Sequence, residues 1–293
     1  MKLQGLHHVT AITGRAAENV DFYTRTLGLR LVKKTVNQDD VSAYHLFYGD
    51  ELGRPGTEVT FFDWPMSPSA RPGYPSIGPI ALAVPGLAAL EWWAGWLERQ
   101  QVPHGSVEEV DGRVTLAFQD AEGQRFQLVD SAGEETPGRP WDAGPIPPEH
   151  AIRGLHHVTL TVRDLDRSRR FVHEVMGLDE KAVRLRAPEH ASDYARQGTG
   201  GVHHVAFRTP DQEEQLLWRQ RLLEAGAQVT PVIDRFYFTS VYFREPGGNL
   251  FEIATDGPGF TADEDAGELG RHLALPPFLE PRRKEIEAGL RPI

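Results

Sequence analysis

One phrase is written three times along the chain and limits what the chain can fold into. It reads Gly5-Leu6-His7-His8-Val9-Thr10, then Gly154-Leu155-His156-His157-Val158-Thr159, then Gly201-Val202-His203-His204-Val205-Ala206. Six of the twelve histidines sit in these doublets. Each doublet lies in a short apolar, β-branched run, which predicts a strand. Side chains alternate along a strand, so one histidine of each pair is expected to face an interior and its neighbour the opposite side. A fourth stretch, Gly247-Gly248-Asn249-Leu250-Phe251-Glu252-Ile253-Ala254, is a turn entering a strand with a carboxylate among apolar residues. Two inward histidines and one inward carboxylate would form a facial metal triad.

The sequence around each phrase repeats as well. A strand over 3–12 is followed by a helix over 16–27, with Val20, Tyr23 and Leu27 on one face and Gly28 as its stop. Strands over 29–36, 41–48 and 57–63 complete the unit. The second unit has strands over 77–84, 107–110, 113–118 and 124–129, and a helix over about 86–100. The third has a strand over 152–162 and a helix over about 164–176, then shortens, and Arg184–Gly200 takes no assignment. The fourth has strands over 201–208, 227–233, 236–244 and 249–254, and a helix over 211–224. Units that start at 5, 77, 154 and 201 are an internal repeat, and none can bury a half-sheet alone. The expected fold is therefore α+β: four βαβββ modules paired into two curved, cup-like mixed sheets. The expected division is an N-terminal domain over 1–135, a Pro- and Gly-rich linker over 136–150, a C-terminal domain over 151–255, and a tail over 256–293 with a helix near 281–289.

Composition removes several function classes. With 293 residues, 40% of them hydrophobic, the chain can build substantial cores. It has no cysteine, which excludes disulfides, thiolate metal sites and cysteine nucleophiles. The formal charge is −11 and the arginines are dispersed, so no nucleic-acid partner is expected. No apolar run approaches the ~20 residues of a membrane-spanning helix. Met1-Lys2-Leu3-Gln4 leads directly into the first strand, so no signal peptide is expected and the cytoplasm is the expected location. The expected partner is a small molecule, with a homo-oligomer possible.

Comparison of the units narrows the site. Aligned on their turn glycines, the last strands place Thr60, Gln127 and Glu252 at one position. Aligned first strands place His8, Ile80, His157 and His204 at another. Only the fourth unit has both a histidine and a carboxylate, so His204 and Glu252 are expected in any site. The third ligand is His8 if units one and four share a cup, and His157 if units three and four do. Spacing leaves both open, and either pairing leaves the other cup with a poor metal set. Two imidazoles and a carboxylate suit Fe(II), Mn(II), Co(II), Ni(II) or Zn(II), with positions left for substrate. Tyr242 is placed on a strand facing the cup, where a phenol could hydrogen-bond or protonate a substrate oxygen. Arg235 could stabilise an anion. Thr10 shares the face of His8 and could orient a ligand, whereas His7 and His203 point away from the cup if their strands are regular. Glu58 is expected to be solvated.

These residues resemble the vicinal oxygen chelate superfamily, which includes glyoxalase I, bleomycin-resistance proteins and extradiol dioxygenases. The detailed resemblance is to ring-cleaving dioxygenases acting on hydroquinones. It rests on Gly5-Leu6-His7-His8-Val9-Thr10-Ala11-Ile12, on Leu27-Gly28-Leu29-Arg30-Leu31-Val32-Lys33-Lys34-Thr35-Val36-Asn37-Gln38-Asp39, and on His45-Leu46-Phe47-Tyr48-Gly49-Asp50. It continues through Arg235-Phe236-Tyr237-Phe238, Ser240-Val241-Tyr242-Phe243-Arg244-Glu245-Pro246 and Asp256-Gly257-Pro258-Gly259-Phe260-Thr261. The resemblance implies a metal between the first and fourth units, with His8, His204 and Glu252 as ligands. It implies outer or acid–base roles for His7, Thr10, His203, Arg235 and Tyr242. It also implies an Fe(II)-dependent, extradiol-type cleavage of a hydroquinone- or catechol-type ring by O2, with Mn(II) or another divalent metal as a variant. The alternatives on this scaffold are a glyoxalase-like isomerase, a thiol transferase, or a non-enzymatic binder of the bleomycin-resistance kind.

Overall fold

The computed structural model describes residues 1–293 and contains two mixed sheets. The first module gives β1 (Leu6–Thr13), α1 (Ala16–Asp21), β2 (Arg30–Asn37), β3 (Asp40–Gly49) and β4 (Glu58–Asp63). The second gives β5 (Ser76–Val84), α2 (Leu87–Arg99), β6 (His104–Val110), β7 (Arg113–Gln119) and β8 (Arg125–Asp130). The third keeps only β9 (Leu155–Thr161), α3 (Leu165–Arg169) and β10 (Val183–Arg186). The fourth gives β11 (Val202–Thr209), α4 (Gln212–Glu224), β12 (Ile233–Asp234), β13 (Thr239–Arg244) and β14 (Leu250–Thr255). A last helix, α5 (Arg283–Gly289), lies in the tail. No helix is long and apolar enough to cross a membrane.

The strand order settles which modules pair. One sheet runs β12-β13-β14-β11-β1-β4-β3-β2, and the other β10-β9-β5-β8-β7-β6. Module one therefore joins module four, and module two joins module three. Each sheet takes one module from either side of the segment 136–150, so the sheets do not follow the halves 1–135 and 151–255. Within a module the first and last strands are parallel, and the modules meet antiparallel, β1 against β11 and β5 against β9. A single cluster of 46 buried apolar residues draws on both sheets and on Trp93, Leu97, Trp218 and Leu222 of the helices. The other face of the eight-stranded sheet carries a second, smaller cluster, in which Val32, Phe47, Ala206 and Ala254 meet Tyr237, Phe238, Phe260 and Leu269 beside the cup.

Each histidine doublet contains a β-bulge. Leu6 pairs with Phe207 and His8 with Ala206, so His7 is an extra residue in its ladder. Thr10 pairs with His204 and Ala11 with Val202, which makes His203 the extra residue on β11. Ala81 pairs with His157 and Leu82 with Leu155, which does the same for His156. A bulge advances the strand by one residue without a partner and resets its alternation. Leu6 and Val9, Leu155 and Val158, and Val202 and Val205 accordingly all enter the same core, although three residues apart.

Register also corrects the alignment of the second module. Ile80 pairs with Val158 as Val9 pairs with Val205, so Ile80 stands where Val9 does. Pro79 occupies the place of His8 and has no side-chain donor. Arg184–Gly200, unassigned by pattern, supplies most of β10 and then a strap: Thr199, Arg196 and Tyr194 bridge Ser69, Arg71 and Tyr74. The strand expected over 236–244 starts only at Thr239, because Phe236 is left-handed at φ 72° and residues 235–238 form a loop over the cup. The strand expected over 227–233 reduces to one bridge at Val229 and the short β12.

Candidate metal centre

Three strands of the larger sheet bring their donors to one point. His8 comes from β1, His204 from β11 and Glu252 from β14. His8 Nε2 lies 3.3 Å from His204 Nε2, and Glu252 Oε2 lies 3.3 Å from the first and 2.9 Å from the second. All three side chains are buried. Glu252 Oε1 accepts the Ser240 hydroxyl, whereas Oε2 has no aligned hydrogen bond at all. A fully buried, unpartnered carboxylate oxygen is costly unless a cation completes it. Two donors each about 2.1 Å from one ion at right angles lie about 3 Å apart, so these spacings suit a single divalent ion.

The bulges give the first histidine of each doublet a place behind the second. His7 Nδ1 lies 2.9 Å from His8 Nδ1, and His7 Nε2 lies 3.2 Å from the Thr255 carbonyl. Only an N–H pairs with a carbonyl, so the network assigns the His7 proton to Nε2 and leaves Nδ1 as acceptor. His8 Nδ1 must then donate, which leaves the lone pair of His8 on Nε2, toward Glu252. His203 Nδ1 lies 2.7 Å from His204 Nδ1. Burial and the neighbouring imidazole push His7 and His203 each down to about 3, so both stay neutral. Regular alternation would send His7 and His203 away from the cup; the bulge instead turns each ring against its neighbour's.

The other candidates fall into place unevenly. Thr10 Oγ1 lies 3.1 Å from His204 Nε2 and 2.8 Å from Thr60 Oγ1. The Tyr242 ring meets His204 edge-on at 5.8 Å, and burial followed by Glu252 pushes its hydroxyl up. Arg235 donates twice to Asp39, at 3.1 and 2.8 Å, and its guanidinium lies 5.4 Å from the Tyr242 ring centre. Gln38 also donates to the Arg235 carbonyl, so the β2–β3 turn is tied to the 235–238 loop across the mouth. Between them lies a cavity lined by Phe47, Phe62, Tyr237 and Phe238, with His8, His45 and His204 among its polar residues.

One expectation is overturned, and one open alternative falls away. Glu58 is 1% exposed rather than solvated; it pairs in register with His8, and burial, reinforced by Asp50 and Glu252, pushes its carboxyl well up. His157 lies in the six-stranded sheet, away from Glu252; its Nε2 is buried and unpartnered. Of the two third donors that spacing allowed, the fold brings His8 to Glu252. Pattern reading missed His45, Thr60 and Ser240. The alternation of β3, with Tyr44, Leu46 and Tyr48 in the core, would have put His45 and Phe47 on the cup face.

Comparison with known proteins gives the family. Residues 5–128 and 154–253 match the family model described as the Glyoxalase/Bleomycin resistance protein/Dioxygenase superfamily. The chain is 44% identical to a Bacillus subtilis protein named Putative ring-cleaving dioxygenase MhqA, with all of both chains covered. It is 32% identical to a Sphingobium indicum protein named Chlorohydroquinone/hydroquinone 1,2-dioxygenase, covering 97% of this chain and 95% of that one. A crystal structure of a putative dioxygenase from Bacillus subtilis superposes with a TM-score of 0.92 at 38% identity, covering 100% of this chain and 98% of that one.

Proposed function

The chain belongs to the glyoxalase/bleomycin resistance protein/dioxygenase superfamily, and from that premise we propose that it is a metal-dependent dioxygenase that opens a hydroquinone-type ring with O2. Its metal is a divalent ion, Fe(II) in this reading, held by His8, His204 and Glu252. The single observation that carries the reading is the orphaned Oε2 of Glu252 between two imidazole nitrogens. Two neutral nitrogens and one carboxylate on one side of an ion leave the far side for substrate and O2. The names of the full-length relatives supply the reaction class.

Bound Fe(II) would supply the redox link between an aromatic diol and O2. The residues of the chain supply the rest. His7 and His203 hold His8 and His204 in the tautomer that presents Nε2. Tyr242, its phenol kept protonated by burial, donates a hydrogen bond to a substrate oxygen and can return a proton to it. Arg235, fixed by Asp39, sets a positive charge beside that phenol and favours an anionic substrate oxygen. Phe47, Phe62 and Phe238 line the ring's space and keep water out.

Two experiments follow. Protein reconstituted anaerobically with Fe(II) should consume O2 on addition of hydroquinone or methylhydroquinone. Bound iron without O2 uptake on hydroquinones or catechol would leave an isomerase or thiol transferase as the reading. His7→Phe keeps an aromatic ring but removes the acceptor for His8 Nδ1–H. It should weaken metal binding about 10- to 100-fold in a chelator competition; an unchanged affinity would remove His7 from this role.

A further inference from the structure

His45 is a wall residue of the cavity with no part in the reading so far. It lies on β3, two strands from β1 across β4, or about 10 Å of backbone. Its ring is held between Phe47 and Phe62, with ring centres 3.9 and 4.4 Å away. Its Nε2 lies 2.9 Å from Thr60 Oγ1. That hydroxyl lies 2.8 Å from Thr10 Oγ1, which in turn lies 3.1 Å from His204 Nε2. Two threonines thus fix the ring of His45 relative to a proposed metal ligand. Burial, and then the neighbouring His8 and His204, hold His45 well below its usual range, so the ring is neutral. Its other nitrogen, Nδ1, has no hydrogen-bond partner in the protein and belongs to a side chain that lines the cavity. An unpartnered imidazole nitrogen on a side chain wedged between two phenylalanine rings favours a ligand that hydrogen-bonds to it.

We propose that His45 Nδ1 binds the second hydroxyl of a para-dihydroxylated aromatic whose first oxygen lies at the His8–His204–Glu252 end. The inference rests on the substrate class proposed above and adds how that class is selected. A 1,4-diol carries its oxygens at opposite ends of the ring, and His8 on β1 and His45 on β3, with β4 between their strands, both line the cavity beside Phe47 and Phe62. A 1,2-diol carries both oxygens at one end and leaves Nδ1 unpaired. A site built to pair a hydroxyl discriminates against an analogue without it more strongly than an apolar pocket can. The Thr60 hydroxyl can donate or accept, so Nδ1 is free to take the complementary role toward the substrate.

The test separates this contact from turnover. Zn(II)-loaded protein is titrated anaerobically with hydroquinone, catechol and 4-methylphenol, and binding is read by calorimetry. Wild-type protein should favour hydroquinone over both other ligands. His45→Phe should weaken hydroquinone about tenfold and leave 4-methylphenol unchanged. His45→Asn, which restores a polar group near Nδ1, should recover part of the loss. In wild-type protein the 15N signal of His45 Nδ1 should shift with hydroquinone and stay in place with 4-methylphenol. Equal weakening of hydroquinone and 4-methylphenol in His45→Phe, or no weakening of hydroquinone, would overturn the assignment while leaving the dioxygenase reading intact. Wild-type protein that does not bind hydroquinone would overturn the substrate class and this contact with it.

Discussion

Glu252→Ala is expected to empty the metal centre. Glu252 is the one anionic donor among the three, and without it two neutral imidazoles face a divalent ion in a buried site. Metal analysis of the variant should fall from a stoichiometric level to background, and ring-cleaving activity with it. Glu252→Gln keeps the shape and can still accept from Ser240, so it separates charge from packing. It should fold as the wild type and still lose most of its metal. His8→Ala should behave like Glu252→Ala, because His8 Nε2 lies 3.3 Å from Glu252 Oε2. His157→Ala should keep its metal, because His157 belongs to the other sheet, where Pro79 takes the place that His8 has in the first. Iron retained in Glu252→Ala, or lost in His157→Ala alone, would refute the triad.

That contrast marks how far the sequence could be read. The repeat, the module boundaries and the membership of His204 and Glu252 were visible, because local periodicity and turn glycines report on single strands. The pairing of modules was not, because β1 against β11 joins residues nearly two hundred positions apart and no local pattern encodes the choice. Bulges hid a second part. A doublet read as regular strand sends His7 and His203 away from the cup, whereas the extra residue places each ring behind a neighbouring imidazole. The same kind of slip put Ile80 in place of Pro79. Glu58 shows a third limit. Its position in β4 is plain from sequence, but whether a carboxylate there meets water depends on what packs beside it. It lies next to His8 in a fully buried ladder. The first copy of the doublet is thus tied to two carboxylates: Glu252, with Oε2 3.3 Å from His8 Nε2, and Glu58, in register with His8 and pushed toward its neutral form by burial. Two imidazole nitrogens within 3.3 Å of Glu252 Oε2 make the Glu252 side the one whose geometry suits an ion.

Lys33→Met should destabilise the fold and loosen the cavity together. Lys33 leaves β2 with no solvent exposure of its side chain. Its ammonium contacts Asp263 at 2.7 Å, Glu264, and the Phe260 carbonyl at 3.1 Å, and lies 4.7 Å from the Tyr237 ring centre. Tyr237 in turn donates to Asp263 at 2.8 Å, and the Gly259 N–H to the Tyr237 carbonyl at 2.8 Å. One buried charge therefore ties the edge strand, the start of the tail and the loop that carries Phe238. The Phe238 ring lies 5.2 Å from His7 and 5.4 Å from His8, so this loop is the roof over the metal centre. It also holds Phe236 left-handed, a conformation that a non-glycine residue keeps only when its surroundings enforce it. Methionine fills most of the volume but leaves two carboxylates without their cation. Removing one partner of a buried pair costs about 3–5 kcal/mol, and the lower end applies because Asp263 and Glu264 can still reach water. A loss of about 3 kcal/mol should lower Tm by roughly 6 °C in a chain of this size. Metal content should survive, since no triad donor moves, while KM for hydroquinone rises as the roof opens. A variant with unchanged Tm would show that the tail is held by its apolar contacts, Leu275, Leu279 and Ile286 against Val36, rather than by the ammonium.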